Sequence, residues 1–190
     1  MSHRPQTSDF RHQVLIGLWS VVCSLLSASC GYTTRLGLAS YLKTVYVKPV
    51  VNTIDFTTLA TDYQRFPIYR HGMETDITNA IINRFQFTGL LRPAGPRDAD
   101  SRLEGELVEF RRDALRYDAS QQVEEWRLSV VVNLRFYDRH ANTLLWEENQ
   151  FTGEATYFAL GPNAESEATA LDRAVKDLAR RIVEHSVENW

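Results

Sequence analysis

Cysteine is scarce in this sequence, which has two, Cys23 and Cys30, among 190 residues. Both lie within the first thirty positions, so the rest of the chain has none. This excludes a disulfide scaffold and a zinc site built on cysteine. Long blocks of one charge are also missing, and the net charge is −3. That balance argues against a protein that binds nucleic acid non-specifically.

Motifs for catalysis are missing as well: the sequence contains no HExxH, GxSxG, Walker or GxGxxG pattern. His71, His140 and His185 share no spacing with one another, and we interpret them as exposed or capping residues. The doublets Glu124–Glu125 and Glu147–Glu148 would point to opposite faces of a strand, so neither supplies two facing carboxylates. We therefore predict that the protein is not an enzyme and binds no metal or cofactor.

The first 29 residues have the order of an export signal. Arg4 and Arg11 give a basic start, and residues 14–26 (VLIGLWSVVCSLL) form an uncharged apolar run. The run is too short to span a bilayer comfortably, because a spanning helix needs about 20 residues. Small residues follow at positions 27–29, immediately before Cys30. This pattern predicts a cleaved signal peptide over 1–29.

The junction at Cys30 resembles the bacterial lipobox, in which a small residue precedes a cysteine that receives lipid. Ser27 stands where leucine is common, with Leu26 one position earlier. Cys23 fits less well, because the bulky Val22 precedes it. The resemblance implies several acyl chains on Cys30, as stable anchoring requires. The alternative is ordinary cleavage before Cys30, which would release a soluble secreted protein.

The mature chain alternates between strand and helix patterns. Residues 30–42 form a predicted tether, and 43–190 form one predicted domain. β-branched residues predict a first strand over 43–51, with Pro49 at an edge or at the strand's end. A loop is predicted over 52–67. The first helix then has its apolar stripe at four-residue spacing and stops at Gly89; the stripe is Met73, Ile77, Ile81 and Phe85.

Three more strands and a helix follow a connection over 92–101. The second strand contains an apolar phase change near Val108, which predicts a bulge. In the third strand, alternate residues from Trp126 to Phe136 are all apolar, as in a sheet with one buried face. Its opposite face is polar but carries Val131 and Tyr137. A turn over 138–142, a fourth strand over 144–155 and a last helix complete the chain; that helix has its stripe at Ala168, Leu171, Val175, Leu178 and Ile182.

These elements predict an α+β fold of order β-α-β-β-β-α. Two helices with apolar stripes would pack on one face of a four-stranded, mostly antiparallel sheet.

One basic cluster is a candidate binding site. Arg111, Arg112 and Arg116 lie at the end of the predicted second strand. Arginine forks match phosphate geometry, so a ligand with clustered phosphates could dock there. The alternative is a strand end whose arginines pair with nearby carboxylates, namely Asp113, Asp118 and Glu125.

From Cys30 to Trp190 the order of features resembles the lipopolysaccharide-assembly lipoprotein family, LptE. The segments that carry the resemblance are Cys30-Gly-Tyr, Lys43-Thr-Val-Tyr-Val, the helix 74–85, Ala99-Asp100 before Leu103-Glu-Gly-Glu, Leu115-Arg-Tyr-Asp, Trp126-Arg-Leu-Ser-Val, Leu145-Trp-Glu, Gly153-Glu-Ala-Thr-Tyr and 179–190. No single segment is specific for this family, but the order of the segments over the mature chain is. The link over 52–69 looks longer than is usual in the family.

The resemblance implies a location and partners. Family members sit at the inner leaflet of the outer membrane, held by a lipid anchor, and lodge inside a large β-barrel, the translocon subunit LptD. They help that barrel assemble, plug it and in some members contact lipopolysaccharide, for which Arg111, Arg112 and Arg116 are the candidates here. Gly31 fits outer-membrane sorting, because the retention signal of enteric bacteria is an aspartate at that position. Two alternatives remain: another envelope lipoprotein acting as a binding or secretion-assembly module, and an envelope hydrolase.

Overall fold

The computed structural model describes residues 41–54 and 70–188, which lie in the second of two compact units, Leu36–Trp190. Its elements are β1 (Thr44–Val47), β2 (Val51–Asn52), α1 (Met73–Thr88), β3 (Arg92–Pro93), β4 (Ser101–Tyr117), β5 (Val123–Asp138), β6 (Thr143–Phe158) and α2 (Glu167–Glu188). The predicted signal peptide, Cys30 and most of the predicted 52–67 loop lie outside the described residues.

Helix α1 forms where apolar residues recur every four positions. Met73, Ile77, Ile81 and Phe85 are all buried, as expected for one face of a helix. The helix ends at Gly89, whose φ of 66° is left-handed and whose amide donates to the Phe85 carbonyl oxygen over 3.1 Å. Because glycine has no Cβ, it adopts this φ without a clash. The predicted stop is confirmed.

The sheet has six strands in mixed orientation, with the order β3-β1-β4-β5-β6 and with β2 also paired to β4. β4, β5 and β6 pair antiparallel, whereas β1 and β2 run parallel to β4, and β3 runs parallel to β1. The parallel pairing follows from the chain order, because a helical crossover such as α1 returns the chain in the same direction. The α+β class with two helices is confirmed, but the predicted four-stranded, mostly antiparallel sheet is wrong.

Two very short strands account for the extra members of the sheet. Pro49 separates β1 from β2, yet both align with β4, β1 as far as Leu103 and β2 from Glu106. The predicted first strand is thus interrupted at its proline, which cannot donate a ladder hydrogen bond. β3 lies within the predicted connection over 92–101, and with two residues, one of them Pro93, it is too short to show alternation.

The long strands β4 and β5 direct their apolar residues toward the helices. The buried residues of β5 on this side are Leu128, Val130, Val132, Leu134 and Phe136. On β4 the buried set changes from odd to even positions between Leu107 and Phe110, because the pairing register shifts between Leu107 and Glu109. The predicted phase change is therefore a β-bulge.

Helix α2 completes the core beside α1. Four of the five predicted stripe residues are buried: Leu171, Val175, Leu178 and Ile182. Ala168 is exposed, because the first turn of the helix presents Ala170 and Leu171 to the core instead. Among the described residues, no helix is long and apolar enough to cross a membrane.

Helix α2 also covers part of the edge of β6. Outward backbone groups of an edge strand lack a neighbouring strand and need other partners. One outward backbone group on each of three alternate residues has a partner on α2: the Thr152 carbonyl accepts from Arg181, the Glu154 amide donates to Asp177 over 3.3 Å, and the Thr156 carbonyl accepts from Arg173 over 2.8 Å. Side chains of the helix thereby satisfy part of this edge.

Gly153 is the point of closest approach between β6 and α2. A Cβ at this position would lie 2.4 Å from the Leu178 Cβ and 2.7 Å from the Ala174 carbonyl oxygen. We expect Gly153→Ala to lower the free energy of unfolding by about 1–3 kcal/mol, because the helix must move away from the sheet. Urea denaturation measures this change. The control is Gly95→Ala, where the nearest atom is 3.6 Å away; equal stability of the two variants would contradict the close packing.

Candidate functional site

The face of the sheet opposite the helices carries charged side chains of both signs. We call this surface the open face. Its charged residues include Arg102, Glu104, Glu106, Glu109, Arg111, Asp113, Arg116, Glu125, Arg127, Arg135, Glu147 and Glu154. Strand alternation places them opposite the core residues of the same strands. The prediction of a sheet with one buried and one polar face is confirmed.

Arg135 is the central cation of the open face. It bridges all three long strands, with Nη1 3.3 Å from a Glu106 oxygen and Nε 3.0 Å from a Glu147 oxygen. The hydrogen bond to Glu147 and the charge of Glu106 raise the pKa of Arg135. Nearby, the Arg102 guanidinium lies 4.7 Å from the Tyr137 ring centre, a cation–π distance. The face is a layer of paired charges rather than a patch of one sign.

Two small residues of β5 lie beneath this ionic layer. Val131 is only 2% exposed, and Ser129 is fully buried with its hydroxyl donating to Glu154 over 3.2 Å. In register, Val131 lies between Glu109 and Thr152 of the neighbouring strands. Val131 is buried, so it does not present an exposed apolar surface on this face.

The structure does not bring the three candidate arginines together. Arg111 and Arg112 are adjacent on β4 and therefore lie on opposite faces. Arg111 is on the open face, between Glu109 at 3.2 Å and Asp113 at 3.3 Å.

Arg116 also lies on the open side, opposite Glu125, because the register shifts again between Ala114 and Arg116. It pairs with Glu125 at 3.6 Å, and its guanidinium lies 5.7 Å from the centre of the Phe158 ring. Arg111 and Arg116 thus pair with carboxylates, as the alternative to a phosphate site predicts. The third carboxylate in that alternative, Asp118, instead accepts the amides of Ser120 and Gln122.

Arg112 lies on the helix side, in a cluster at the start of α2. Its guanidinium donates to Glu167 over 2.6 Å and lies 4.4 Å from the Trp126 ring centre. The Tyr157 hydroxyl donates to the same Glu167 carboxylate over 3.2 Å. Burial, together with the negative charge of Glu167, raises the pKa of Tyr157. A phosphate at Arg112 would compete with the Glu167 carboxylate for Nη1.

A second polar cluster, which the sequence did not indicate, lies where β1 begins. We call it the strand-start cluster: Tyr41, Thr44, Asp100, Asp138 and His140. One Asp100 oxygen accepts the Lys43 amide at 2.9 Å, the Thr44 amide at 3.0 Å and the Thr44 hydroxyl at 2.8 Å. The other is 2.9 Å from His140 Nε2. Asp138, 1% exposed, accepts from the Tyr41 hydroxyl and from the His140 amide at 2.7 Å.

These bonds change the acidity of both carboxyl groups. The His140 hydrogen bond and then the Lys43 amide lower the pKa of Asp100 well below its usual range. The Tyr41 hydroxyl lowers the pKa of Asp138. Hydrogen bonds to a carboxylate favour its charged form, so both groups stabilise the fold while they are ionised. The cluster ties the beginning of β1 to the ends of β4 and β5.

We expect Asp100→Asn to lower the free energy of unfolding at neutral pH by about 2 kcal/mol, because several charge-assisted bonds weaken together. The folded pKa is below the unfolded value of about 4, so this stabilisation is present above pH 4 and declines as pH falls toward the folded pKa. Urea denaturation at several pH values measures the effect. The difference between wild type and variant should shrink below pH 4; a difference that stays constant there would contradict the assignment.

The remaining histidines and glutamate doublets do not converge. The sequence predicts an exposed or capping His185, but its ring packs 4.8 Å from the Trp146 ring and 5.7 Å from the Phe151 ring, measured between centres. His71 is exposed. Within 41–54 and 70–188, no three histidine or acidic side chains are grouped so that they could hold a metal ion.

Comparison with solved structures finds several similar chains. Protein XCC0632 from Xanthomonas campestris is 12% identical, with a TM-score of 0.51, over 78% of this chain and 88% of its own. Protein CT253 from Chlamydia trachomatis is 14% identical, with a TM-score of 0.48, over 76% and 95%. Rare lipoprotein B from Shewanella oneidensis is 11% identical, with a TM-score of 0.38, over 74% and 89%. No curated protein sequence matches the chain.

The described part of the chain is a small α+β domain with paired charges on the open face. The model of the lipopolysaccharide-assembly family LptE matches residues 42–186, and the chain belongs to this family. The suspected resemblance is confirmed. LptE is a family of non-enzymatic lipoproteins, in agreement with the prediction that the protein is an envelope lipoprotein and not an enzyme.

Proposed function

We propose that this protein is an outer-membrane lipoprotein, anchored through lipid on Cys30, that assembles with and plugs the lipopolysaccharide-export β-barrel. In this role it supports the transport of lipopolysaccharide to the cell surface. Family membership over residues 42–186 is the observation that carries the proposal. Gly31 after the candidate lipid-bearing cysteine supports the outer-membrane location.

The open face supports the plug role in physical terms. The lumen of a large outer-membrane barrel is polar and contains water. A plug in that lumen needs a surface that tolerates polar neighbours yet presents charges in defined positions. The three-strand Glu106–Arg135–Glu147 bridge has this character. We infer that the open face is turned toward the barrel wall.

The first test is a mild-detergent pull-down of the tagged protein from its native envelope, with mass spectrometry of the partners and of the mature N-terminus. We expect a large outer-membrane β-barrel in near-equal amount and an N-terminal peptide acylated on Cys30. An acylated N-terminus with different partners would favour another envelope lipoprotein acting as a binding or secretion-assembly module. A free N-terminus with no barrel would contradict both parts of the proposal.

A charge-swap series tests the open face as the contact with the barrel. Arg135→Glu should reduce recovery of the barrel severalfold, because it reverses a central charge and leaves Glu106 and Glu147 unneutralised. The double variant Arg135→Glu, Glu147→Arg restores an ion pair within the chain but exchanges the positions of the two charges. If binding to the barrel depends on the position of each charge, the double variant still recovers less of the barrel. Full recovery in the double variant would show that only local stability matters.

We further propose Arg111, Arg112 and Arg116 as contacts for lipopolysaccharide phosphates, which would take the place of their carboxylate partners. The double variant Arg111→Gln, Arg116→Gln should lower co-purified lipopolysaccharide by about three- to tenfold, since guanidinium–phosphate bonds are charge-assisted but partly exposed. The matched control is Arg173→Gln, Lys176→Gln on α2. Because Arg112 is on the other face, Arg112→Gln is measured separately. Equal lipopolysaccharide in all variants would exclude these contacts.

A further inference from the structure

Ion pairing is uneven over the described part of the chain. Of 17 lysines and arginines within 41–54 and 70–188, twelve lie within 4 Å of a carboxylate oxygen of another described residue. The five without such a partner are Lys43, Arg92, Arg97, Arg139 and Arg181. Four of these five lie at one end of the sheet, and only Arg181 lies elsewhere, on α2.

Backbone contacts bring those four residues together. The Arg92 amide donates to the Lys43 carbonyl over 2.9 Å. Arg97 lies in the short turn that follows β3, where the Asp98 amide donates to the Gly95 carbonyl over 3.1 Å. The Arg139 amide donates to the Asp100 carbonyl over 2.9 Å. We call the surface formed by Lys43, Arg92, Arg97 and Arg139 the anchor end, because the chain enters the described domain here from the side of Cys30.

The anchor end is positive on an otherwise acidic protein. Its carboxylates are Asp98, Asp100 and Asp138, so it has four basic residues against three acidic ones. The rest of the described chain has 13 basic and 18 acidic residues. Asp100 and Asp138 also point inward, to the backbone amides and side chains of the strand-start cluster. Lys43, Arg92 and Arg97 are all exposed.

Exposed apolar side chains flank the same surface. Phe87 is 82% exposed in the last turn of α1, and Leu90 is 46% exposed shortly before Arg92. Tyr41, 50% exposed, precedes β1 by three positions. Cations together with aromatic and aliphatic side chains are the composition of surfaces that lie in the headgroup layer of a membrane.

We propose that the anchor end docks on anionic phospholipid headgroups of the membrane that holds the lipid on Cys30. The proposal rests on the lipid anchor of the proposed function. Ten residues separate Cys30 from Tyr41, and a chain of that length reaches at most about 35 Å. Lys43 of the anchor end is the first basic residue of the described chain and is therefore the one nearest to Cys30 in sequence. Unpaired cations within a Debye length of about 8 Å of an anionic surface are attracted to it.

The test uses the intact lipoprotein, purified in detergent and reconstituted into vesicles. A fluorophore is placed by Ala141→Cys in the β5–β6 turn at the anchor end, or by Ser120→Cys in the β4–β5 turn at the opposite end. Lipids with a nitroxide-labelled headgroup quench a fluorophore that lies close to the membrane. We expect quenching at Ala141→Cys, at least about twofold stronger in vesicles that contain phosphatidylglycerol than in pure phosphatidylcholine, and little at Ser120→Cys.

Charge reversal identifies the residues responsible. The triple variant Lys43→Glu, Arg92→Glu, Arg97→Glu should lose the anionic-lipid component of quenching. The matched control reverses three exposed cations elsewhere, Lys48→Glu, Arg70→Glu and Lys176→Glu, and gives the same net charge. A thermal unfolding curve by circular dichroism checks that each triple variant is folded. An equal loss in both triple variants would overturn the proposal, because net charge alone would then explain the effect.

The outcomes separate this inference from the lipid anchor. Protein that floats with neutral vesicles but shows no extra quenching with anionic lipid is anchored without headgroup docking, which overturns the inference alone. If the protein does not float with neutral vesicles, the Cys30 anchor is refuted. If quenching by anionic lipid persists in that case, docking of the anchor end on phospholipid is still supported. Quenching that requires lipopolysaccharide in the vesicles assigns the anchor end to that molecule and overturns docking on phospholipid.

Discussion

The two-sided character of β5 is the constraint on which the rest of this domain depends. β5 lies between β4 and β6 over nearly its whole length, so both of its edges are paired and only its two faces are left to be covered. The side from Leu128 to Phe136 is uniformly apolar and requires a cover, which α1 and α2 supply. Its other side cannot be apolar unless a third layer covers it. The charges of the open face are therefore the complement of the core, and their pairing keeps that face compatible with water or with a polar partner.

The crossover from β1 through α1 to β4 has a second consequence. It places the beginning of the domain beside the start of β4 and the end of β5, although Thr44 and Asp100 are 56 residues apart in sequence. The Asp100 carboxylate then binds two backbone amides of the entering chain. A charged acceptor for these amides holds β1 at a position where only two or three residue pairs form the ladder on either side. The Asp100 carboxylate thereby fixes the position of β1 relative to the start of β4 and the end of β5.

The sequence predicted the elements in which a periodic pattern extends over many residues, and it did not predict the strands of two residues. The stripe of α1, the alternation of β5 and the bulge after Leu107 each extend over enough residues to show their period. β2 and β3 have two residues each, so no alternation can reveal them, and parallel pairing depends on the crossover rather than on composition. The three candidate arginines are adjacent or nearly adjacent in sequence but do not share one face, for a geometric reason. Neighbours on a strand face opposite ways, and a bulge then changes the face again before Arg116.

Ion pairs are distributed differently on the open face and at the anchor end. Open-face cations pair with carboxylates two positions along the same strand, as Arg111 does, or on an adjacent strand, as Arg135 does. Opposite charges side by side across strands are stabilising. At the anchor end Asp100 and Asp138 instead accept backbone amides, and the bonds to Asp100 help to hold the short strand β1. Asp100 and Asp138 therefore cannot turn outward to neutralise Lys43, Arg92 and Arg97. The surplus of positive charge at this end follows from how the start of the domain is held, and it lies where the chain continues toward the candidate lipid-bearing cysteine.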